Sequence, residues 1–378
     1  MKNIDVLVVG GSFAGLECAR VAARARCRVT LWDPKPEAGA GVRTTGLLTP
    51  EALADLTPPR YLTRPIDGVR LYSPRLRSVD LESGGYRYYA TDTPALLRWM
   101  ANRAVDVGAE LRWGERFLWA RRDGDGIRAG DHRARYLVGA DGARSRVATT
   151  FGLGHNRRFL FGAEWEFEGL RGIDENRLHC FLSREFAPGY LGWAVPGLGV
   201  TQIGVAGTAP FHPRLEAFVE RLSKLFDFGR ARVIARRAGW IPVGGTVSPS
   251  DAPRVLLIGD AAGHVSPLTA GGIRLALQGA AAAGAAIAEF LRGKGTAPAA
   301  GLGVDKTRFH AKSVFRWLLE KAFSDGMAET LIDLAAARKW ASDIFFSPRG
   351  LPAPGRTRPP APATWPREFV GPRKESRS

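Results

Sequence analysis

The residues with the clearest capacity for chemistry are a glycine–aspartate pair, Gly259 and Asp260, and a glycine-rich turn further along the chain. The pair follows the apolar run 255–258, which predicts a buried strand that ends in a carboxylate able to meet a ligand hydroxyl. The later turn, at residues 270–273, opens an alanine-rich helix, and the free N–H groups at a helix start favour negative charge. The N1–C2=O edge of a reduced flavin carries such a charge, so this arrangement suits a flavin.

A dinucleotide-binding fingerprint opens the chain. The predicted elements are a strand over 6–9, a tight turn over 10–15 (GGSFAG), a helix over 16–25 and a second strand over 28–32. An acid, Asp33, follows the second strand, as a Rossmann unit requires for a ribose hydroxyl. Ser12 stands at the place of the middle glycine, but the adjacent Gly11 still permits close backbone approach to a pyrophosphate. Because Asp33 is not an arginine, it favours an unphosphorylated adenosine ribose, as in FAD or NAD.

Another acidic, glycine-flanked turn lies near the middle of the chain. Residues 136–138 predict a short strand, residues 139–142 (GADG) the turn, and residues 143–150 the start of a helix. Taken alone, the pair Asp141-Gly142 is a common turn signal. Its weight comes from its position between the other two segments in chain order.

In this order the segments GGSFAG, GADGARS and GDAAGHVSPLTAGGI resemble the FAD-dependent oxidoreductases with a p-hydroxybenzoate-hydroxylase-like fold. Within that superfamily the third segment is most similar to the geranylgeranyl reductase family, where Gly-Asp-Ala-Ala-Gly precedes Pro-Leu-Thr-Gly-Gly-Gly-Ile. Residues 187–207 (APGYLGWAVPGLGVTQIGVAG) are similar to that family's substrate-site stretch of aromatic-x-Trp-x-Phe-Pro before a glycine-rich strand. The resemblance spans residues 3–300 and implies FAD as the cofactor.

The resemblance also implies a set of site residues. Those expected to hold FAD are Gly10, Gly11, Ser12, Gly15, Asp33, Asp141, Gly142, Gly259, Asp260, Gly271, Gly272 and Ile273. On the reaction side, Tyr190 and Trp193 are expected to form an apolar wall over the flavin, and His264 to donate a proton near it. The alternative for the two aromatic residues is ordinary core packing, and the alternative for His264 is a polar filler. No metal site is expected.

Three departures from the family pattern leave the reaction open. Thr93 stands where the family has an FAD-holding arginine, residues 39–46 lack the family's Cys-Gly, and Val195 replaces the aromatic before Pro196. The first interpretation is a reductase that saturates C=C bonds of an isoprenoid or similar apolar substrate. The second is a flavin-dependent monooxygenase that hydroxylates a small aromatic or natural product, and the third is a flavin-dependent halogenase. NAD(P)H, ferredoxin and quinol are all candidates for the electron donor.

The predicted fold is α/β, with a Rossmann-type FAD-binding domain interleaved with an antiparallel-sheet substrate domain and followed by a helical C-terminal segment. The predicted ranges are 1–60, 86–158 and 251–300 for the FAD-binding domain, 61–85 and 159–250 for the substrate domain, and 301–348 for the helical segment. Residues 61–89 predict strands of a small sheet. In GAEWEFEGL, glutamates alternate with apolar residues, which indicates one buried face and one wet face. The basic, proline-rich residues 349–378 predict a disordered tail.

Length and composition agree with this fold. The chain has 378 residues, of which 45% are apolar, enough for two joined domains with an ample core. Its three cysteines show no metal or disulfide spacing, which fits a reducing compartment and excludes a four-thiolate iron–sulfur cluster. The first strand begins almost at Met1, so no signal peptide is expected, and the most apolar stretch, 275–291, is short for a membrane span. A cytoplasmic protein is therefore expected.

The charge balance is strongly basic. Lys and Arg number 54 against 37 Asp and Glu, a net charge of +17. No nucleic-acid recognition module accompanies this charge, so nucleic acid is not an expected partner. Two interpretations stay open: a solvated arginine-rich surface, or a basic face held on anionic lipid headgroups at the inner face of the membrane. A non-enzymatic lipid- or nucleic-acid-binding protein is a further class, and it predicts no bound flavin.

Overall fold

Three sheets and their covering helices make up the residues that the structure, a computed structural model, describes: 1–81, 84–295, 297–298, 306–322 and 324–346. In chain order the strands are β1 (Lys2–Val9), β2 (Val29–Asp33), β3 (Leu47–Leu48), β4 (Thr63–Ile66), β5 (Gly68–Tyr72), β6 (Ser78–Leu81), β7 (Tyr88–Thr91), β8 (Glu110–Trp113), β9 (Arg121–Asp123), β10 (Gly126–Ala129), β11 (His132–Gly139), β12 (Phe159–Glu168), β13 (Arg177–Phe181), β14 (Gly192–Pro196), β15 (Thr201–Thr208), β16 (Arg232–Pro242), β17 (Asp251–Ala252) and β18 (Val255–Leu257). The helices are α1 (Phe13–Arg24), α2 (Pro50–Leu56), α3 (Thr93–Asp106), α4 (Arg146–Thr150), α5 (Leu215–Leu222), α6 (Ile273–Leu291), α7 (Lys306–Ala322), α8 (Asp325–Leu331) and α9 (Ala335–Phe346). The predicted tail, 349–378, lies outside the described residues.

The largest sheet has a parallel centre. Its strand order is β17-β18-β11-β1-β2-β8, with β10 beside β11 and β9 beside β10. β1 pairs in parallel with β11 and β2, and β11 pairs in parallel with β18. Because such a sheet is covered on both faces, its strands are continuous apolar runs, and Val6, Leu7, Val8 and Val9 are all buried. The carboxyl ends of β1, β2, β11 and β18 share one edge. Three glycine-rich turns lie there: the first turn follows β1 (residues 10–15), the second follows β11 (139–142), and the third runs from the end of β18 to the start of α6 (259–272).

Two helices pack closely on one face of this sheet. α1 and α6 lie side by side, and Gly284 is the residue that permits the approach: a Cβ there would lie 2.9 Å from the carbonyl oxygen of Cys18. Cys18 is fully buried, and burial raises the pKa of its thiol to about 12. Cys18 is therefore a packing residue, because only the thiolate is reactive.

The second sheet is the predicted antiparallel one. Its order is β16-β12-β15-β14-β13-β5-β6, and only the β13–β5 pair among these neighbours is parallel. α5 covers one face through its buried residues Leu215, Phe218 and Leu222. The opposite face, with Leu160 and Ala206, packs against Ala270 of the large sheet's third turn.

The structure corrects three details of the sequence-based predictions. The predicted small sheet over 61–89 is divided, because β5 and β6 join the seven-stranded sheet while β4 pairs with β7 and β3 in a separate three-stranded sheet. α1 begins at Phe13, so Gly15 lies in the first helical turn rather than in the loop. The wet-face prediction is wrong for Glu164, which is 5% exposed.

Candidate functional site

The first turn of the site is a backbone cradle after β1. Gly10 has φ +111°, and a Cβ on it would lie 2.2 Å from the carbonyl oxygen of Ala140. A Cβ on Gly15 would lie 1.7 Å from the carbonyl oxygen of Gly10. Ser12 is the N-cap of α1 and its side chain makes no capping hydrogen bond. The first N–H groups of α1 are therefore available to an anion such as a pyrophosphate.

Asp33 lies at the end of β2, beside this cradle. Its buried carboxylate accepts hydrogen bonds from the backbone N–H groups of Gly11 at 2.6 Å and Lys35 at 2.8 Å. Each carboxylate oxygen has more than one lone pair, so the group retains capacity to accept ribose hydroxyls. The carboxylate thus fixes the first turn and faces the place where a ribose is expected.

A cavity of about 500 Å³, which the sequence did not predict, is lined by Trp113, the residue that pairs with Asp33 across strands β2 and β8. The Trp113 ring lines it and also packs against the first turn, where a Cβ on Gly11 would lie 2.6 Å from the ring. Arg98, Glu37 and Asn102 contribute polar groups to the same walls. An aromatic face with polar rims suits a nucleoside base. We propose that the adenosine end of the cofactor extends toward Trp113.

In the second turn, the Asp141 carboxylate is hydrogen-bonded to the start of α4. It accepts hydrogen bonds from Ser145 Oγ at 2.6 Å and from the backbone N–H groups of Arg146 at 2.7 Å and Val147 at 3.1 Å. These bonds cap the start of α4. Gly142 has φ +85° and open space at its Cβ position. We propose that Asp141 shapes the turn and that Gly142 brings its backbone close to the cofactor.

The third turn carries a carboxylate that the protein leaves unpaired. Gly259 has φ +58°, and a Cβ there would lie 2.8 Å from Ala14 Cβ, so the turn packs directly on α1. Within the described part of the chain the Asp260 carboxylate has no hydrogen bond or ion pair. Burial raises its pKa from 3.8 to about 6. A buried carboxylate without a partner is costly, and a hydrogen bond from a ribitol or ribose hydroxyl would reduce that cost.

The start of α6 completes the third turn. Gly272 is its N-cap and, having no side chain, offers no capping hydrogen bond. A Cβ on Gly272 would lie 3.5 Å from Asp260 Oδ1, so the open helix terminus and the carboxylate are neighbours. Gly271 and Ile273 flank this N-cap, and the positive end of the helix dipole favours an electron-rich flavin edge there.

Asn156 joins the second and third turns, and sequence reasoning missed it. Its Nδ2 donates to the carbonyl oxygens of Ala143 at 3.0 Å and Asp260 at 2.9 Å. Its Oδ1 is buried without a partner among the described residues. No local signal marks Asn156, because its two partners lie 13 and 104 residues away along the chain.

Taken together, these groups fit FAD. Two helix termini without side-chain caps, at α1 and α6, suit the pyrophosphate and the flavin edge. Asp33 suits a ribose, and the unpaired Asp260 suits the ribitol side. The close approaches at Gly10 and Gly15 hold the first turn tightly against the second turn and the start of α1, because a side chain at either position would clash with backbone atoms.

The two candidate wall residues lie on the sheet face that meets the third turn. Tyr190 and Trp193 pack on the apolar cluster of Leu160, Ala206 and Val243, together with Ala270. The Tyr190 hydroxyl donates to the carbonyl oxygen of Thr269 at 2.7 Å, which ties the substrate side to the α6 turn. The Trp193 Nε1 donates to Glu164 Oε2 at 2.8 Å. The polar atoms of both side chains are thus hydrogen-bonded, which fixes the orientation of the two rings.

The surroundings of His264 are unfavourable for the predicted role of proton donor near the flavin. It is 2% exposed, and neither ring nitrogen has a partner among the described residues. Burial lowers its pKa to about 4, so the ring is neutral at neutral pH. A neutral imidazole in this position argues against a charged proton donor and favours a polar filler behind the third turn.

One departure from the family pattern, Thr93, has a structural explanation. Thr93, which stands in place of an arginine, contacts Thr91 Oγ1 at 2.9 Å, and Thr91 donates to the Gly46 carbonyl oxygen at 2.8 Å. A Cβ on Gly46 would lie 1.8 Å from Thr93 Oγ1. The small Thr93 therefore lets the loop before β3 settle onto α3, in space that an arginine side chain would occupy.

A buried charged network holds the other end of that loop. Glu164 Oε2 accepts from Thr45 Oγ1 at 2.6 Å, and Glu164 Oε1 accepts from Arg237 at 3.3 Å. Arg237 also forms an ion pair with Glu166. The pKa of Glu164 is raised, because the effect of burial exceeds the lowering by its hydrogen bonds to Thr45 and Trp193 and by the Arg237 charge. The network explains why Glu164 is inside: its charge is paired there, and it joins the loop to the substrate sheet.

Comparisons with known proteins identify the family of the chain. The sequence profile of the FAD binding domain family matches residues 3–162 and 244–304, more than half of the chain. A digeranylgeranylglycerophospholipid reductase from Methanothermobacter thermautotrophicus is 30% identical over 308 residues, which cover 75% of this chain and 77% of the relative.

Solved structures share the fold. A geranylgeranyl bacteriochlorophyll reductase-like protein from Thermoplasma acidophilum superposes with a TM-score of 0.77 at 21% identity, covering 92% of this chain and 98% of that one. A p-nitrophenol 4-monooxygenase from Pseudomonas putida gives a TM-score of 0.64 at 16% identity, covering 92% and 94%. The chain belongs to the geranylgeranyl reductase family of FAD-dependent oxidoreductases, and FAD is its cofactor.

Proposed function

We propose that this enzyme saturates C=C bonds of an isoprenoid chain carried by a lipid. The observation that carries the proposal is the relative, 30% identical over 308 residues, that is named for reduction of a digeranylgeranyl lipid. The buried residues Leu160, Ala206 and Val243 support it, because they make the substrate sheet apolar where it meets Ala270, just before α6. An isoprenoid chain offers only apolar surface, so an apolar junction of this kind suits it.

In this proposal the residues of the chain position and enclose the reactants. The flavin supplies hydride or electron transfer when bound. Tyr190 and Trp193 form the apolar wall, and their hydrogen bonds to Thr269 and Glu164 hold both rings in one orientation. The uncapped start of α6 would hold the electron-rich edge of the flavin, where the helix dipole would stabilise negative charge. NAD(P)H, ferredoxin and quinol stay equal candidates for the electron donor.

The direct test is product analysis without oxygen. FAD-loaded protein, photoreduced under anaerobic conditions, is incubated with a geranylgeranyl-substituted glycerophospholipid and the lipid is examined by mass spectrometry. We expect the lipid to gain one H2 for each double bond saturated, with stoichiometric reoxidation of the flavin. An unchanged lipid beside a fully reduced flavin would contradict the proposal for this substrate class.

A monooxygenase is the second candidate. The observations that favour it are Thr93, in place of the family's arginine, and the absence of cysteine from residues 39–46. Hydroxylation requires oxygen, whereas C=C reduction does not, so the same anaerobic incubation separates the two reactions. A product that forms only in air and contains an added oxygen atom would favour this candidate.

We also propose that the enzyme meets its lipid at an anionic membrane surface. No helix in the described ranges is both long and apolar enough to cross a membrane, so the contact would be peripheral. Val314 and Trp317 on α7 and Trp340 on α9 are each nearly half exposed, and Phe315 packs on Trp340 at 5.5 Å between ring centroids. With the exposed Lys321 and Lys339, they form what we call the α7–α9 face, which combines aromatic and basic groups as interfacial surfaces do.

The α7–α9 face predicts salt-sensitive vesicle binding. The full-length protein should co-sediment with vesicles of phosphatidylcholine and phosphatidylserine but not with phosphatidylcholine alone. Lys339→Gln should weaken this binding about fivefold, since one surface cation contributes about 1 kcal/mol, and Trp317→Ala should weaken it further. Trp119→Ala, which removes an exposed tryptophan elsewhere, serves as the control. Equal binding by Trp317→Ala and Trp119→Ala would contradict this surface.

A further inference from the structure

A buried guanidinium on α7, that of Arg316, is not among the site residues described above. Arg316 is 3% exposed, although α7 follows both predicted domains and presents Val314 and Trp317 to solvent. Burying a charge is costly unless it is paired and hydrogen-bonded. The groups that satisfy Arg316 therefore show what the helix is fixed to.

The Arg316 side chain joins α7 to both sides of the site. Its Nη1 donates to the carbonyl oxygen of Pro267 at 3.1 Å, in the segment that leads to α6. Its Nη2 donates to the carbonyl oxygen of Gly189 at 2.8 Å, in the turn before Tyr190. The planar fork of an arginine can reach two carbonyl groups at once, which a lysine cannot do.

Glu320 balances the buried charge. It lies one helical turn after Arg316, and its Oε1 is 2.7 Å from Arg316 Nε. The Glu320 carboxylate also accepts from Thr208 Oγ1 at 3.1 Å and pairs with Arg158 at 2.9 Å. α7 is thus anchored to β15 of the substrate sheet as well as to the two carbonyl groups.

Tyr190 contacts both Arg316 and the segment that leads to α6. The Arg316 guanidinium carbon lies 5.8 Å from the centroid of the Tyr190 ring, and the Tyr190 hydroxyl donates to Thr269 at 2.7 Å. The segment 267–269 and the turn 189–190 are therefore held to each other twice, once by Tyr190 and once through Arg316.

We propose that Arg316 is a positioning residue of the FAD site. By holding Pro267 and Gly189 to one guanidinium, it orients the backbone that presents the start of α6 to the flavin, and it sets Tyr190 against that backbone. α7 is accordingly part of the cofactor site. This inference depends on FAD binding and not on which substrate the enzyme reduces, so it stands or falls separately from the proposed reaction.

The test compares Arg316→Met with a matched exposed control, Arg338→Met on α9. Loss of two hydrogen bonds from a charged donor should raise the Kd of the full-length apoprotein for FAD about tenfold or more. The visible circular dichroism of the bound flavin should change, and amide hydrogen exchange should rise in residues 264–272 and 187–191 but not in β1. Arg338→Met should leave all three measurements at wild-type values.

Two further variants separate positioning from general stability. Arg316→Lys should restore charge but only part of the FAD affinity, because one ammonium cannot hold both carbonyl groups. If Arg316→Met does not fold, Glu320→Gln keeps the guanidinium and removes its carboxylate partner, and we expect the same changes at smaller size. FAD affinity, flavin dichroism and local exchange that all stay at wild-type values, with only a lower Tm, would overturn the proposal.

Discussion

Asp260→Ala should yield a folded protein that purifies depleted of FAD. The Asp260 carboxylate has no hydrogen bond or ion pair within the described chain, so removing it costs the apoprotein little. The same change removes the acceptor that we assign to the ribitol side of the cofactor. Flavin absorbance per mole of protein, with far-ultraviolet circular dichroism as the folding control, measures the effect. A variant with full flavin occupancy would remove Asp260 from the cofactor site.

The pKa of Asp260 gives the same prediction a second readout. In the folded apoprotein its pKa is about 6, above the ordinary 3.8, so the folded state binds the proton more tightly than the unfolded state does. Above pH 6 the ionised carboxylate therefore destabilises the fold, and this cost disappears as the pH falls below 4. The full pKa difference would correspond to a cost of about 3 kcal/mol. Since the carboxyl is partly exposed, we take the cost as about 2 kcal/mol.

Asp260→Asn should accordingly stabilise the apoprotein while weakening FAD binding. Urea unfolding of flavin-free samples at pH 7 should show a gain of about 2 kcal/mol in the free energy of unfolding, nearly absent at pH 4. A gain that is equal at both pH values would show that ionisation of Asp260 is not its source.

Gly15→Ala is the second change with a large expected effect. The new Cβ would lie 1.7 Å from the carbonyl oxygen of Gly10 and 2.9 Å from its carbonyl carbon, and these are backbone atoms that cannot rotate away. Either α1 moves off β1 or the turn opens, and both outcomes displace the N–H groups offered to the pyrophosphate. We expect a loss of about 2–4 kcal/mol in stability and no measurable FAD retention.

The control for Gly15→Ala is another glycine within a helix. Gly326 lies in α8, and the nearest atom to an added Cβ is 4.0 Å away. Gly326→Ala should retain FAD and gain a few tenths of a kcal/mol or more, because alanine is the better helix former. Normal FAD content in Gly15→Ala would contradict the close approach of α1 to the first turn.

The three turns were predictable because each is encoded in a short stretch of sequence. An apolar strand, a Gly-rich turn and an amphipathic or alanine-rich helix follow one another in each segment, and parallel strands bring their ends to one edge. The position of Asp33 at the end of β2 follows from the same local order, and the structure places it against Gly11. The limit of local reasoning shows at Gly15, where the helix boundary was three residues off.

The contacts that support the site were not predictable in this way. Glu164 was expected in solvent from its alternation in β12, because the partners that bury it, Thr45 and Arg237, lie on a distant loop and on β16. Asn156 and Arg316 likewise join segments far apart in the chain. A single sequence shows which residues alternate along a strand, but not which charged groups will face them after folding.

The central claim is that this flavin serves reduction rather than hydroxylation, and oxygen dependence tests it most directly. Photoreduced, FAD-loaded enzyme is mixed with a geranylgeranyl-substituted lipid, and flavin reoxidation is followed with and without oxygen while an electrode records oxygen uptake. The account predicts that the lipid reoxidises the flavin in the absence of oxygen and that it does not increase oxygen uptake. Oxygen uptake that requires the lipid, with no anaerobic reoxidation, would contradict it.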